Sequence, residues 1–329
     1  MTKISIIVLS YNSKNRISDC ITALCQQTTT DSFEIIVVDN NSHDGSAQQI
    51  KREFGEKVRV LELKSNLGFA GGNVEGLKIA TGEYIVLVND DTRAATQWLE
   101  RLVACAEKHP NAGAVASQML RWGSEIIDTL GDGCTIAGNG FKLRSGEQQY
   151  FGPSEVVFSA CAGAVLYRRQ AIEQVGFLEP TFFLNHEDTD LAFRLRHGGW
   201  QIVTAPDAII EHMVHASQVG GSPLSVFYAS RNVELVWLRN MPLQLMISGL
   251  PEKIIQVSAA GLYALTRGKF VPYLRGKLAA LGMFGWALKQ RKVILSNSRF
   301  DQKENSLSRV FSMAYFKRMW MRVTAGDQA

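Results

Sequence analysis

The chain has 329 residues, of which 46% are hydrophobic and 20% are charged. These fractions are typical of a globular protein and exclude a disordered chain, and the length predicts one large domain with an appendage. The five cysteines include no CxxC pair, which disfavours a disulfide framework or a structural zinc site and favours a reducing cytosol. The amino terminus leads directly into a strand-like segment without the pattern of a signal peptide.

Charge is distributed unevenly along the chain. Residues 1–238 contain 20 Lys and Arg against 27 Asp and Glu, whereas residues 239–329 contain 15 against 4. The basic segment therefore predicts an anionic partner, either a lipid surface or a nucleic acid. Its charges alternate with apolar stretches instead of forming a continuous basic stripe. This pattern predicts that the partner is an anionic membrane surface and that the chain binds no nucleic acid.

The first 120 residues alternate between short apolar runs and helix-compatible stretches. This pattern predicts an α/β fold, Rossmann-like, with a mostly parallel sheet and helices on both faces. Ligands of such sheets bind beyond the carboxyl ends of the strands. The predicted strands are Ile4–Leu9, Phe33–Val38, Val58–Leu63 and Tyr84–Val88.

Between residues 120 and 238 the pattern is less regular, starting with a Gly-rich segment to about residue 160. A helix that begins at His186 is also predicted. The other predicted elements here are strand Ala162–Tyr167, helix Gln170–Val175, strands Gln201–Thr204 and Ala208–Glu211, and helix Val226–Leu238.

After residue 239 two apolar stretches carry no charge, Ile254–Thr266 with 13 residues and Leu278–Leu288 with 11. Both are shorter than the roughly 20 residues that a membrane-spanning helix needs. Flanking Lys and Arg, with Trp286 and Trp320 nearby, are typical of helices that lie on a bilayer surface. The alternative is a pair of helices packed on the catalytic body.

Polar residues follow the first two predicted strands, at Ser10 and Asn12 and at Asp39. A carboxylate at such a strand end can accept a hydrogen bond from a nucleobase or a ribose, although a turn is the simpler interpretation of Asp39 when it is considered alone. A Gly-rich segment from Asn66 through Gly71 to Asn73 precedes a helix, and it forms either a phosphate-binding loop or a tight turn.

Strand Tyr84–Val88 is followed by Asn89, Asp90 and Asp91. Adjacent carboxylates repel each other unless a cation lies beside them, and hard oxygen ligands suit Mg²⁺ or Mn²⁺. Of the two acids, Asp91 is predicted to be the ligand and Asp90 its neighbour. An exposed turn with a helix cap is the alternative.

Three further residues lie in the second half of the chain. Asp188 at a helix start can act as a base or interact with the helix dipole. His212 follows a predicted strand and can complete a metal shell or have a structural role. Arg231 can reach a phosphate or a sugar carboxylate, or form a surface salt bridge.

In chain order these motifs resemble the family-2 glycosyltransferases of the GT-A fold, and among them the rhamnosyltransferase-like branch. Each motif is weak by itself, but seven in the family's order over about 225 residues are unlikely to arise by accident. The motifs are Leu9-Ser10-Tyr11-Asn12, Val37-Val38-Asp39-Asn40-Asn41-Ser42, Asn66-Leu67-Gly68-Phe69-Ala70-Gly71-Gly72-Asn73, Asn89-Asp90-Asp91-Thr92, Glu187-Asp188-Thr189-Asp190, His212 with Ser217, and Tyr228 with Arg231-Asn232.

The resemblance implies a metal-dependent, inverting transfer of sugar from a UDP- or dTDP-sugar to a glycan or lipid-linked acceptor in cell-wall or O-antigen synthesis. It implies that Asp188 is the catalytic base and that Asp91 and His212 bind Mg²⁺ or Mn²⁺. Asn89 stands where many members have an acid, so altered ribose contacts are expected. The implied donor-binding residues are Ser10, Asn12, Asp39, Asn66, Gly71, Asn73, Asn89, Asp90 and Arg231.

The predicted organisation is a catalytic domain over residues 1–238 and a basic amphipathic helical tail over residues 239–329. Within the domain, residues 1–120 form the nucleotide-sugar half and residues 121–238 the acceptor half. The predicted location is cytoplasmic and peripheral, on the inner face of the cell membrane. The alternative function is a catalytically silent module that binds a nucleotide sugar or a glycan.

Overall fold

The structure of the chain is a computed structural model that describes residues 2–214, 221–300 and 307–309. The predicted contributions of Ser217 and Trp320 lie outside these residues. The strands are β1 (Ile4–Ser10), β2 (Phe33–Asp39), β3 (Arg59–Glu62), β4 (Tyr84–Asn89), β5 (Thr92–Ala94), β6 (Ala112–Arg121), β7 (Ile127–Leu130), β8 (Asp132–Cys134), β9 (Gly140–Lys142), β10 (Ala164–Arg168) and β11 (Gln201–His212). The helices are α1 (Ile17–Cys25), α2 (Ser46–Phe54), α3 (Gly68–Ile79), α4 (Trp98–Lys108), α5 (Arg169–Val175), α6 (Glu187–His197), α7 (Pro223–Asn240), α8 (Leu243–Thr266), α9 (Phe270–Gly282) and α10 (Phe284–Leu295).

The main sheet has the strand order β3-β2-β1-β4-β10-β6-β11-β5, with β7 paired to β6. Strands β3, β2, β1 and β4 are parallel to one another, as predicted. Strand β10 runs antiparallel to both of its neighbours, and β11 is parallel to β6 but antiparallel to β5. The sheet is therefore mixed, with a parallel half that carries the predicted donor residues. Strands β8 and β9 form a separate small sheet.

Helices cover both faces of the sheet, and each face has its own hydrophobic core. Successive side chains of a strand point to opposite faces, so Ile6 and Val8 contribute to one core while Ile7 contributes to the other. Helices α1, α2 and α4 cover the first face, and α3, α5, α6 and α7 cover the second. Burial on both faces explains why the strand sequences are almost continuously apolar.

Strand β11 replaces the two strands predicted over residues 201–211. It pairs with β6 along its length, and the register shifts between Ala205 and Ile209. Pro206 lies at this irregularity and provides no backbone N–H for the ladder. The strand continues beyond the irregularity to His212, which therefore lies at its carboxyl end.

The carboxyl-terminal helices pack around α7, which crosses the predicted domain boundary at residue 238. A Cβ atom at Gly276 of α9 would lie 2.5 Å from the carbonyl oxygen of Phe227, so only glycine permits this helix approach. Helix α9 ends at Gly282, and the predicted helix Leu278–Leu288 therefore spans the break between α9 and α10. These contacts place one face of the helical tail on the catalytic body.

The opposite face of the tail exposes large apolar side chains over α8, α9 and α10. Within the described part of the chain, no helix is long and apolar enough to span a bilayer. The exposed side chains include Leu243, Ile247, Ile254, Leu262, Leu265, Val271, Leu278, Leu281 and Val293, each more than half exposed.

A buried ionic network joins α6 to α7. The carboxylate of Asp190 is fully buried, with Oδ2 2.9 Å from Nε of Arg194 and Oδ1 3.3 Å from Nε of Arg239. Burial alone would raise the pKa of Asp190, but the charges of Arg239 and Arg194 hold it below its usual value. This network fixes the helix on which Asp188 lies.

Replacing Asp190 by alanine is expected to lower the free energy of unfolding by about 3–5 kcal/mol, because two buried guanidinium groups lose their partner. The carboxylate contributes stability in full above its unfolded pKa of about 3.9, and this contribution is lost progressively as the pH falls from that value through the lower pKa of the folded state. Denaturant unfolding at pH 7 and pH 3 measures both effects. As a control, Glu173→Ala removes an exposed partner of Arg169 and should cost about 0–1 kcal/mol. Equal losses for the two variants would contradict the prediction.

Candidate active site

The carboxyl ends of β1, β2 and β4 meet at one edge of the sheet. Ser10 lies beside Asp39, and Leu9 lies beside Asn89. The side chain of Asp39 is almost completely buried; Oδ2 accepts the amide of Ser42 at 3.1 Å, whereas Oδ1 has no hydrogen-bond partner within the described residues. A buried carboxylate oxygen without a donor is costly unless a ligand supplies one.

Asn12 connects the loops that follow β1 and β2. Asn12 has a backbone φ of 49°. Its backbone N–H donates to Oγ of Ser42 at 3.0 Å, and its side-chain Oδ1 accepts from the backbone N–H of His43 at 2.9 Å. Ser10 is buried, with its Oγ 2.7 Å from Oγ of Ser13. Ser10 and Asn12 thus hold the shape of the edge around Asp39.

The Gly-rich segment packs tightly at the start of α3. Oδ1 of Asn66 accepts the amide of Gly68 at 2.8 Å, and Asn73 is buried with Nδ2 donating to the carbonyl of Phe69 at 2.9 Å. A Cβ atom at Gly71 would lie 2.7 Å from Cβ of Leu67, the residue just before α3. Asn66, Gly71 and Asn73 therefore make contacts within the protein, and their predicted contacts with a donor stay predictions.

Asp90 forms a nearly buried ion pair with Arg16. Both carboxylate oxygens lie 3.1 Å from guanidinium nitrogens of Arg16 in a bidentate arrangement. Burial raises the pKa of Asp90, and Arg16 offsets part of that rise. Because Arg16 occupies both oxygens of Asp90, Asp91 is the acid whose carboxylate remains available.

The pairing of β11 with β5 brings His212 to Asp91. His212 lies opposite Thr92 in the register, and its Nε2 is 3.6 Å from Oδ1 of Asp91. Nδ1 of the same ring is 2.9 Å from Oδ2 of Asp128, which also pairs with Lys142. Burial would raise the pKa of Asp128, but His212 and Lys142 lower it to about 2.

This arrangement fits a divalent cation. The ionised Asp128 can only accept a hydrogen bond, so Nδ1 of His212 donates to it, and this bond holds the ring with Nε2 facing Asp91. Oδ1 of Asp91 is buried and has no hydrogen-bond partner within the described residues. An unpaired carboxylate oxygen next to an oriented imidazole matches the donor set of Mn²⁺ or Mg²⁺, with Mn²⁺ the more tolerant of nitrogen.

Asp188 belongs to a second acidic cluster close to the first. Ligand atoms of Asp188, Asp132 and Cys161 all lie within 4.8 Å of one another. Burial and the neighbouring charge of Asp188 raise the pKa of Asp132 to about 7, and burial raises the pKa of Asp188. Oδ1 of Asp132 is 2.9 Å from Oγ1 of Thr129, the residue after Asp128, so the two clusters adjoin.

Burial also raises the pKa of the Cys161 thiol. The thiol therefore stays protonated, which makes it a poor metal ligand and a poor nucleophile. Among the described residues, the Asp91–His212 pair is thus the better candidate for the cation, and Asp188 is left as a partly exposed carboxylate.

Asn232 and Arg231 hold the loop that leads to Asp188. Phe183, Asn185 and His186 all have positive φ values between 61° and 68°, which is unfavourable for residues other than glycine. Nδ2 of Asn232 donates to the carbonyls of residues 182, 184 and 185 at 2.8 Å each, and Arg231 donates to those of residues 181 and 182. The structure therefore gives Arg231 a loop-holding role, and its predicted contact with the donor stays a prediction.

Sequence reasoning missed Asp128, Asp132 and Arg16. Asp128 lies within strand β7 and Asp132 begins strand β8, in the segment for which the sequence indicates only a Gly-rich, irregular pattern, and no motif marks either acid. Arg16 carries no motif, and its role follows from the fold alone.

The model of the Glycosyl transferase family 2 matches residues 5–176. The match covers more than half of the chain, which therefore belongs to this family of glycosyltransferases. It ends before Asp188 and His212, so the match does not cover these two residues.

The chain is also similar in sequence to individual proteins. The chain is 28% identical over 233 residues to the uncharacterized protein y4gI of Sinorhizobium fredii, covering 65% of this chain but 25% of that protein. It is 25% identical over 230 residues to the N-acetylglucosaminyl-diphospho-decaprenol L-rhamnosyltransferase of Mycobacterium tuberculosis, covering 62% of this chain and 74% of that one. The chain thus spans a quarter of the first relative's length.

The GT-A fold is confirmed by solved structures. The crystal structure of GalNAc-T7 with UDP, GalNAc and Mn²⁺ superposes with a TM-score of 0.60 at 13% identity, covering 93% of this chain and 58% of that one. At this identity the likeness shows the fold alone.

Proposed function

We propose that this protein is an inverting, metal-dependent glycosyltransferase that moves a sugar from a UDP- or dTDP-sugar to a hydroxyl of a lipid-linked glycan. The observation that carries the proposal is the convergence of Asp91, His212, Asp128, Asp132 and Asp188 in adjoining clusters. The mycobacterial relative, whose name describes rhamnosyl transfer to a diphospho-decaprenol-linked sugar, supports this choice of acceptor.

The donor is proposed to lie along the edge formed by β2, β1 and β4. The unpaired Oδ1 of Asp39 would accept a hydrogen bond from the nucleobase or the ribose. Asp91 and His212 would hold Mg²⁺ or Mn²⁺, which when bound offsets the charge of the departing diphosphate. Ser10, Asn12 and the Arg16–Asp90 pair position the surrounding loops.

Asp188 is proposed to be the catalytic base. The residue is partly exposed, and burial raises the pKa of its carboxylate, which makes it a stronger base than an ordinary aspartate. It would take the proton of the acceptor hydroxyl as that oxygen attacks the anomeric carbon. A single displacement of this kind inverts the anomeric centre and needs no nucleophile from the protein, and the protonated thiol of Cys161 does not supply one.

We place the reaction at the cytoplasmic surface of the cell membrane, in the synthesis of a cell-wall or O-antigen polysaccharide. The exposed apolar face of α8 to α10, together with the basic charge of residues 239–329, supports peripheral binding to anionic lipid. The five thiols are free, which is compatible with a reducing compartment.

A panel of UDP- and dTDP-sugars tests the proposal. One donor is expected to raise the melting temperature in the presence of Mn²⁺ but not of EDTA, and to be hydrolysed slowly because water replaces the acceptor. Mn²⁺-dependent binding without any hydrolysis or transfer would indicate the silent binding module instead. A donor that binds equally well in EDTA would contradict the metal site.

A further inference from the structure

A cavity of about 530 Å³ lies between α7, α8 and α9. Its volume is within the range of roughly 300–1,000 Å³ that is usual for small-molecule sites. Apolar side chains of α7 and α8 form much of its wall, among them Val226, Val233, Val257 and Ala260. The cavity lies outside the edge of the sheet to which the donor was assigned.

The cavity adjoins the proposed base. His186 lines it and stands two residues before Asp188. Asn139 also lines it, and a Cβ atom at the next residue, Gly140, would lie 2.9 Å from Oγ1 of Thr189. Thr189 in turn donates its hydroxyl to Asp188 at 3.2 Å. The wall of the cavity therefore includes residues that neighbour Asp188 along the chain or through Thr189, although Asp188 itself does not line it.

Cationic side chains line the same cavity. Arg267, Lys269 and Lys277 contribute to its wall. Lys277 shares the carboxylate of Glu234 with Lys253, so these three groups together still carry a net positive charge. Burial and the two lysine charges lower the pKa of His186 to about 4, so its ring is neutral at physiological pH. The lining thus has more positive than negative charge, which favours an anionic group.

Two further features of the cavity indicate which chemical groups its ligand carries. Oε1 of Gln256, which lines the cavity, is buried and has no hydrogen-bond partner within the described residues, so the ligand should supply an O–H or N–H donor. Tyr263, which also lines the cavity, is mostly exposed, as are its neighbours Leu262 and Leu265. An apolar chain that leaves the cavity therefore continues over apolar surface.

We propose that this cavity binds the phosphate-bearing end and the first hydrocarbon units of a prenyl-linked acceptor, and so delivers its sugar hydroxyl to Asp188. The phosphate lies among Arg267, Lys269 and Lys277, the first hydrocarbon units contact the walls formed by α7 and α8, and the rest of the chain enters the bilayer. This inference rests on the proposed function. A bulk phospholipid is the less suitable occupant, because it carries no sugar to present to the base that the cavity adjoins.

Farnesyl diphosphate is a suitable probe, because it carries the anionic group and a short prenyl chain. Binding to the full chain is measured in EDTA, so that the diphosphate is not attracted to the cation site. The affinity is expected to exceed those of inorganic pyrophosphate and of farnesol by about tenfold or more, since each fragment lacks one set of contacts. An affinity no higher than that of either fragment would overturn the proposal.

Two variants locate the binding. Ala260→Trp fills the cavity and Lys269→Glu reverses one of its charges, and each should weaken farnesyl diphosphate binding by about tenfold. Arg275→Glu is the matched control, because Arg275 is exposed on α9 and does not line the cavity. An equal loss for Arg275→Glu would mean general surface attraction and would end the proposal. Unchanged Mn²⁺-dependent UDP binding shows that each variant is folded.

Vesicles of phosphatidylglycerol separate the acceptor from bulk lipid. Ala260→Trp should sediment with them as the wild type does, and an excess of vesicles should leave farnesyl diphosphate binding intact. Displacement of the probe by vesicles would assign the cavity to bulk lipid and contradict the proposal. Donor hydrolysis by the wild type is a separate measurement, so failure of the proposed function remains distinguishable from failure of this site.

Discussion

Replacing Asp188 by asparagine is expected to lower the rate of sugar transfer by a factor of about 10²–10⁴, the usual contribution of a positioned base. The amide keeps the size of the side chain and can still accept from the amide of Thr189, which is 2.6 Å from Oδ1. It cannot take up the proton of the acceptor. Donor binding should change little, because Asp188 belongs to the acidic cluster that adjoins the cation pair and not to that pair. The rate constant for transfer and the Kd of UDP with Mn²⁺ measure the two effects separately.

Asp132→Asn is the matched control for this variant, because it removes a neighbouring carboxylate of the same cluster. It should reduce transfer less than Asp188→Asn does, since the proposed base is retained. If Asp188→Asn turns over at the wild-type rate, Asp188 is not the base. If Asp132→Asn has the larger effect, the roles of the two carboxylates are reversed.

Replacing Asp91 by alanine is expected to remove the Mn²⁺-dependent part of UDP binding, because the cation would lose its proposed carboxylate ligand. Asp128→Asn should weaken Mn²⁺ binding by about 10–100-fold, the usual effect of a group that orients a ligating histidine. Calorimetric titration of UDP with and without Mn²⁺ measures both variants.

The control for these variants is Glu62→Gln, which alters a partly exposed carboxylate at the end of β3 that pairs with Lys51. It should leave Mn²⁺-dependent binding unchanged. Full Mn²⁺-dependent binding by Asp91→Ala would place the cation elsewhere, and the Asp132–Cys161–Asp188 cluster would then be the first alternative.

The sequence predicted the parallel half of the fold closely. Strands β1, β2 and β4 begin at the predicted residues and end one residue later, because burial on both faces requires continuous apolar runs there. Strand β6 was not predicted, because its small residues, such as Gly113 and Ser117, have a weak strand preference. Its place between β10 and β11 depends on long-range pairing that local preference does not encode.

For the candidate site, the sequence predicted which residues carry chemistry but not which groups neighbour them. The predicted proximity of Asp91 and His212 is present in the structure, and it follows from the pairing of β5 with β11. The partner of His212 could not be predicted, because Asp128 reaches it through the β6–β7 hairpin in a segment without strong periodicity. The hydrogen bonds from Arg231 to the loop carbonyls likewise depend on tertiary packing, so the sequence could not predict them.

The pairing of β5 with β11 also has a consequence for synthesis of the chain. Strand β5 has β11 as its only sheet neighbour among the described residues, and 118 positions separate Arg93 from its partner Glu211. During translation, the segment after Asp91 therefore stays without its strand partner until residue 212 has left the ribosome. Closing so long a loop is slow compared with local folding. The nascent chain can thus complete strands β1 to β4 well before Asp91 and His212, the proposed ligands of the cation, come together.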